Sequence, residues 1–215
     1  MATAVPMAMF PLQSALLPDE ELPMQIFEQR YTALVRDCMR DDDPRFGVVL
    51  ISQGREIGGG DVRCDVGTVA RITECAEIAG SGRFVLRCRT GERIRVSEWL
   101  PDDPYPRALT QVWPDEPGEP VTAGQLEELE DRVMALFERI AAARNFSLPT
   151  RAVVLGIDAD TVDPGARLYA LASRVPIGAA DRYSVLAAPS AAERLAALSE
   201  AVDSVAAVVE FQLSE

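Results

Sequence analysis

Histidine and lysine are both absent from the 215 residues, so all 21 basic side chains are arginine. That excludes a Ser-His or Cys-His nucleophile pair, a histidine metal cluster, a Schiff-base lysine, a Ser-Lys dyad and the phosphate-loop lysine. What remains is the chemistry of 34 Asp and Glu: acid–base work by a carboxylate pair, or coordination of a hard cation. No spacing singles out a pair. The run Asp41-Asp42-Asp43 before Pro44 has the density of a cation site, but carboxylates at a helix exit are ordinarily solvated, and that is the reading adopted. Cys38, Cys64, Cys75 and Cys88 lie 26, 11 and 13 residues apart with no Cys-x-x-Cys pair. Without histidine they read as reduced, buried thiols rather than zinc ligands. No catalytic residue, metal or cofactor is expected.

The net charge of -13 is evenly spread, with 13 arginines against 20 acids through residue 120 and 8 against 14 beyond it. A surface that tracks phosphates needs a positive excess, so nucleic acid and anionic membranes are disfavoured partners. One local exception stands out. Arg83, Arg87 and Arg89 alternate with apolar residues, and Arg93 and Arg95 continue the register past Gly91. The ribbon is either a docking strip for an acidic partner or an exterior neutralised by nearby carboxylates, the commoner arrangement.

The elements that position these residues are organised around residues 22–31. Pro23 has no amide hydrogen and biases Leu22 towards extended dihedrals, so a helix begins between Ile26 and Glu28. Tyr31, Leu34, Val35, Cys38 and Met39 then share one helical face. Residues 7–12 read as a strand that 16–18 resume, and the nearly continuous apolar run 46–52 reads as a strand covered on both faces. Glycines at 54 and 58–60 make a turn that lacks a phosphate-cradle pattern. Alternating strands follow at 66–74, 83–89, 93–96 and 105–113, with Gly80-Ser81-Gly82 as the turn before Arg83.

A proline-rich acidic break at 114–120 ends the strand pattern. Thr122 and Gln125 form a capping box ahead of a stripe from Leu126 to Ile140. Asp163-Pro164 caps another helix, and Ser190 with Glu193 caps the last. The last stripe, Leu195, Leu198, Val202, Val205 and Val209, serves either burial within a local bundle or a homo-oligomer seam through the C-terminal helix. No apolar run is long enough for a membrane span, no basic residue precedes the first apolar segment, and a cytoplasmic protein is expected.

With the segments laid out, the N-terminal part resembles the substrate-binding domain at the amino end of Lon proteases, which also occurs free-standing and has a relative in cereblon. The residues that carry the resemblance are Phe10-Pro11-Leu12, Leu22-Pro-Met-Gln-Ile-Phe-Glu-Gln-Arg-Tyr31, Phe46-Gly-Val-Val-Leu50, Gly67-Thr-Val-Ala70, Gly82-Arg83 and Gly91-Glu-Arg-Ile94, in order over about residues 7–113. The resemblance implies an α+β fold: a PUA-like pseudo β-barrel with one inserted helix over 1–115, then a helical bundle over 121–215. It also implies that this region captures unfolded or tagged polypeptide, while the ATPase and Ser-Lys dyad of the full protease have no counterpart here.

The expected function is a non-catalytic polypeptide-binding module, a protease adaptor or independent client binder, that captures an extended segment at the barrel edge or in a cleft between barrel and bundle. Met24, Phe27, Tyr31 and Arg93 are the candidate binding residues, each with a plain structural use as well: hinge core for the first three, a turn buttress for Arg93. The alternatives are a carboxylate-dependent hydrolase and an RNA-binding module of the PUA-like kind, the latter opposed by the charge.

Overall fold

The computed structural model describes residues 3–54, 62–156 and 163–214. The glycine run 58–60 and residues 157–162 lie outside the described residues. The chain divides into two compact units, Met1–Pro114 and Asp115–Glu215.

The first unit runs β1 (Val5–Leu12), β2 (Glu21–Ile26), α1 (Gln29–Cys38), β3 (Arg45–Gln53), β4 (Val62–Ile78), β5 (Arg83–Leu100) and β6 (Arg107–Val112). The sheet order is β2-β5-β4-β3-β1-β6, and β5 also pairs with β6, so β1, β3, β4, β5 and β6 close a ring with β2 attached outside it. The β1–β3 pair is parallel and the others antiparallel. A parallel pair needs a crossover, which β2 and α1 provide. Residues 16–18 do not resume the first strand. Leu17 accepts a 2.6 Å hydrogen bond from the Thr90 hydroxyl, and Glu20 N–H donates to the same Thr90 oxygen at 2.8 Å, fixing the approach to β2. Helix α1 starts at Gln29 with Glu28 as N-cap, one residue beyond the expected window, because β2 stays paired to β5 through Ile26 opposite Phe84.

Strand β5 serves two cores. Along it Phe84, Leu86 and Cys88 pack with Phe10, Phe46, Val48, Ala70 and Ile72 under the α1 face of Tyr31, Leu34, Val35 and Cys38. Ala70 lies opposite Thr90, but Thr68 lies opposite Arg93, so β5 inserts one extra residue around Gly91. Such a bulge exchanges the two faces of a strand. Beyond it Ile94 and Val96 turn into the ring, onto Met9, Val49, Val69 and Ala108. The arginine register expected to run unbroken past Gly91 is therefore interrupted, and Arg93 is buried at 5% exposure. The close approach of β3 and β4 also requires glycine at 67: a Cβ there would stand 2.0 Å from the Val48 carbonyl oxygen.

The second unit is helical: α2 (Ala123–Arg144), α3 (Arg151–Leu155), α4 (Pro164–Arg174), α5 (Ala179–Ala187) and α6 (Ala191–Ser214). Thr122 and Gln125 make the reciprocal capping box of α2, and Asp163 caps α4 with Pro164 following it. The Ser190 hydroxyl donates to Glu193 Oε2 at 2.9 Å and accepts from the Glu193 amide at 3.3 Å at the start of α6. On α6 the stripe is buried at Leu198 and Val202, while Val208, Phe211 and Leu213 are exposed.

Candidate functional site

Strand β2 ends the sheet order, and among the described residues no strand pairs with its outer edge. Side chains alternate along it, Met24 and Ile26 into the core and Pro23 and Gln25 outward. The chain then leaves the strand before α1 begins, and Phe27 falls in that gap. It belongs to neither the strand's inner face nor the helix's buried face, and stands 55% exposed. Beside this edge lies a groove of about 320 Å³ lined by Phe10, Leu12, the stretch from Leu22 to Glu28, and Tyr31. On its floor the Phe10 and Tyr31 rings stack with centroids 3.9 Å apart. Arg30 covers the other side of the Tyr31 ring at 4.5 Å and pairs with Glu28 at 3.1 Å.

Three of the residues expected from sequence thus meet at one groove. Met24 and Tyr31 line it as core residues, 9% and 3% exposed, while Phe27 is available at its mouth. Arg93 is elsewhere. Its Nε donates to the Trp113 carbonyl at 3.0 Å and its guanidinium stacks on the Trp113 ring at 4.0 Å, with Arg95 on the same ring at 3.5 Å. The bulge in β5 is the cause, since it turns Arg93 to the face of Thr68.

Two of the five arginines of the ribbon are neutralised by carboxylates, as is Arg71 on β4. Arg87 pairs with Glu74 at 3.4 Å, Arg89 with Asp19 at 3.5 Å, and Arg71 with both Asp43 and Glu92. Asp43 also meets Arg45 at 3.3 Å, so the acidic run is engaged by arginine at its third member. Among the described residues no group of three metal-ligating side chains converges. A second concavity, about 500 Å³, holds Asp37, Asp41, Asp43 and Tyr105. There the Tyr105 hydroxyl donates to Asp37 at 3.0 Å, and burial together with that bond pushes its pKa up to about 12. Burial pushes Cys88 up to about 12. Burial and the nearby Asp41 and Asp37 push Cys38 up to about 11. Both remain thiols at neutral pH, the protonation state that neither attacks nor ligates.

A closed sheet carrying one crossover helix, followed by a helical unit, defines an α+β architecture of the Lon N-terminal type. The model of the ATP-dependent protease La (LON) substrate-binding domain matches residues 6–204, and the chain belongs to that family. The match runs well past residue 113, into the helical unit. Among solved structures, the chain is similar to a Lon N-terminal domain protein from Xanthomonas campestris, at 26% identity and a TM-score of 0.61 over 90% of this chain and 96% of that one. It shares the fold of the N-terminal domain of the Mycobacterium avium complex Lon protease, at 15% identity and a TM-score of 0.64 over 93% and 98%. No curated protein sequence matches it.

Proposed function

We propose that the chain is a non-catalytic polypeptide-binding module, acting as a client-binding protein or as an adaptor for a protease. The observation that carries this reading is the groove beside the outer edge of β2, with Phe27 exposed at its mouth. An extended segment can add to β2 through main-chain pairing while its apolar side chains enter between Phe10, Met24, Phe27 and Tyr31. Pro23 takes one donor from that edge and so discourages two copies of β2 from pairing with each other. Membership of a family of protease substrate-binding domains supports the same reading. Without lysine the chain cannot build a Ser-Lys dyad, so we assign it no cleavage of its own. We place it in the cytoplasm, with unfolded or tagged polypeptides as partners; among the described residues no helix is long and apolar enough to cross a membrane.

Incubation with casein, with and without ATP and Mg²⁺, is expected to leave the casein intact, and ATP-dependent cleavage by this chain alone overturns the reading. Fluorescence anisotropy with an unfolded polypeptide is expected to show binding that Phe27→Ser weakens. Self-association through α6 is a compatible second reading, favoured by Val208, Phe211 and Leu213 at 55%, 67% and 46% exposure. Light scattering of the wild type against Phe211→Asp tests it, and identical monomeric masses exclude it.

A further inference from the structure

The groove beside β2 is charged differently at its two ends. Strand β2 opens on Glu21, which is exposed, directly after Asp19 and Glu20. At its other end Ile26 lies opposite Phe84, the residue that follows Arg83 on β5. Arg83 is exposed and forms no ion pair with any described residue. Arg36, on α1, reaches the same corner: its guanidinium lies 5.9 Å from the Phe84 ring, and Nη2 would stand 3.9 Å from a Cβ added at Gly82. It too is exposed and has no carboxylate partner among the described residues. Of the carboxylates on the neighbouring elements, Glu28 is engaged by Arg30 at 3.1 Å, and Glu77, opposite Phe84 on β4, is exposed without pairing to either arginine. In a chain with a net charge of -13, these two arginines leave a small positive excess at the Phe84 end of β2.

We propose that the groove selects extended polypeptide segments whose apolar stretch carries an acidic flank, with the acidic residues docking at Arg36 and Arg83 and the opposite flank passing Glu21. The inference rests on the polypeptide-binding reading of the same groove and adds the class of client. Main-chain pairing is indifferent to sequence, and apolar contacts along the groove discriminate weakly. The charges at the two ends therefore set which segments bind and in which direction they lie. The overall acidity of the chain works against acidic clients at long range, so selection depends on contact at the Phe84 corner and falls as salt screens it.

The test uses fluorescein-labelled peptides with a common core of Leu, Val and Phe and a flank of Glu, Gln or Arg, the flank placed at either end in separate peptides. One of the two Glu-flanked peptides is expected to bind about two- to fivefold more tightly than its Gln counterpart, the range that partly screened ion pairs provide, with the Arg-flanked peptide weakest. The double variant Arg36→Glu, Arg83→Glu is expected to reverse that order and leave the Gln peptide within twofold. Arg87→Glu, away from the corner, is expected to keep the wild-type order. Unchanged circular dichroism and melting temperature identify the variants as folded. An order that the double variant does not alter, or equal binding of all three flanks, overturns the inference while leaving polypeptide binding in place; failure to bind any peptide overturns both. Single-stranded RNA that binds more tightly than the peptides and is released by the same double variant assigns the arginine pair to nucleic acid and also overturns it.

Discussion

The rings of Phe10 and Tyr31 stack at 3.9 Å with an interplanar angle of 24°, tying β1 to the first turn of α1 under the groove beside β2. Phe27, only four residues before Tyr31, has no comparable packing and stands 55% exposed. The two aromatics are therefore separable by mutation. Tyr31→Ala removes a nearly buried ring from the larger core and is expected to cost about 3–5 kcal/mol of folding stability. Phe27→Ser is expected to change stability by no more than about 0.5 kcal/mol. It should nonetheless weaken polypeptide binding about fivefold or more, as truncation of an exposed aromatic anchor does. Urea unfolding and anisotropy on the two variants check the split, and equal effects of both on stability refute it.

Thr90 joins the approach of β2 to the sheet. Its hydroxyl gives its proton to Leu17 O and accepts from Glu20 N–H, and Thr90 itself is 1% exposed. Thr90→Val keeps the shape and leaves a carbonyl and an amide without this partner, a loss of about 1–3 kcal/mol. Because Glu20 leads directly into β2, hydrogen exchange in the variant is expected to accelerate over residues 15–26 before it does in β3. Uniform acceleration across the sheet counts against a local clasp.

Gly67 tests the ring itself. A methyl at that position meets the Val48 carbonyl oxygen, which is backbone and cannot swing away. Gly67→Ala is expected to destabilise by at least about 2 kcal/mol, at the upper end of overpacking costs. Gly124→Ala, where a Cβ meets nothing within 4 Å, is the matched control near the start of α2. There a stability change of about 0.5 kcal/mol or less is expected. Thermal melts of the pair decide it.

The parts of this fold legible in the sequence are those whose signal is local. The capping box of Thr122 with Gln125 and the cap at Asp163-Pro164 each satisfy helix-end amides within three residues, so residue type and spacing suffice. Tyr31, Leu34, Val35 and Cys38 likewise declare one face by spacing alone, while Met39, assigned to the same face, is the C-cap of α1 and 46% exposed. The β5 bulge is invisible because face assignment past Gly91 depends on which β4 residue sits opposite, and Arg93 went to the wrong face for that reason. Phe27 reads as hinge core because no pattern marks a short gap between a strand and its following helix. Charged residues in the helical unit were hidden by distance. Glu130, 3% exposed among solvated neighbours on α2, meets Arg151 on α3 and Arg167 on α4. Arg194 sits within an apolar stripe, and its partner lies 79 positions away.

That partner is Asp115, and the pair supplies a further prediction. Arg194 is wholly buried, donates to both Asp115 oxygens at 2.9 and 2.5 Å, and stacks on the Tyr169 ring at 3.8 Å. Asp115→Ala leaves a buried guanidinium without its counter-ion and is expected to destabilise by about 3 kcal/mol, the low end for breaking a buried pair because Asp115 keeps 39% side-chain exposure. Arg194→Met removes the buried charge while keeping an unbranched, though shorter, apolar stem and is expected to cost less than Asp115→Ala. The reverse order in urea unfolding refutes a buried-charge origin.

Alkaline pH should loosen the contact between α1 and the sheet. Cys38 lies at about 11 and Cys88 at about 12, against 9.0 for a free thiol, and Tyr105 lies at about 12 against 10.0. In each case the folded state favours the protonated form, so the unfolded chain releases its proton at lower pH. The stabilisation from these groups is fully present below pH 9, where both states are protonated, and is lost as pH rises towards 12. Cys38 and Cys88 belong to the core beneath α1, and Tyr105 packs against it and bonds to Asp37 on that helix. Urea midpoints measured from pH 8 to pH 11 are expected to fall most steeply above pH 9. Cys38→Ala with Cys88→Ala, compared at each pH with its own pH 8 value, is expected to flatten that decline. A decline of unchanged steepness in the double variant assigns the alkaline loss to Tyr105 or to general charge repulsion instead of to the buried thiols.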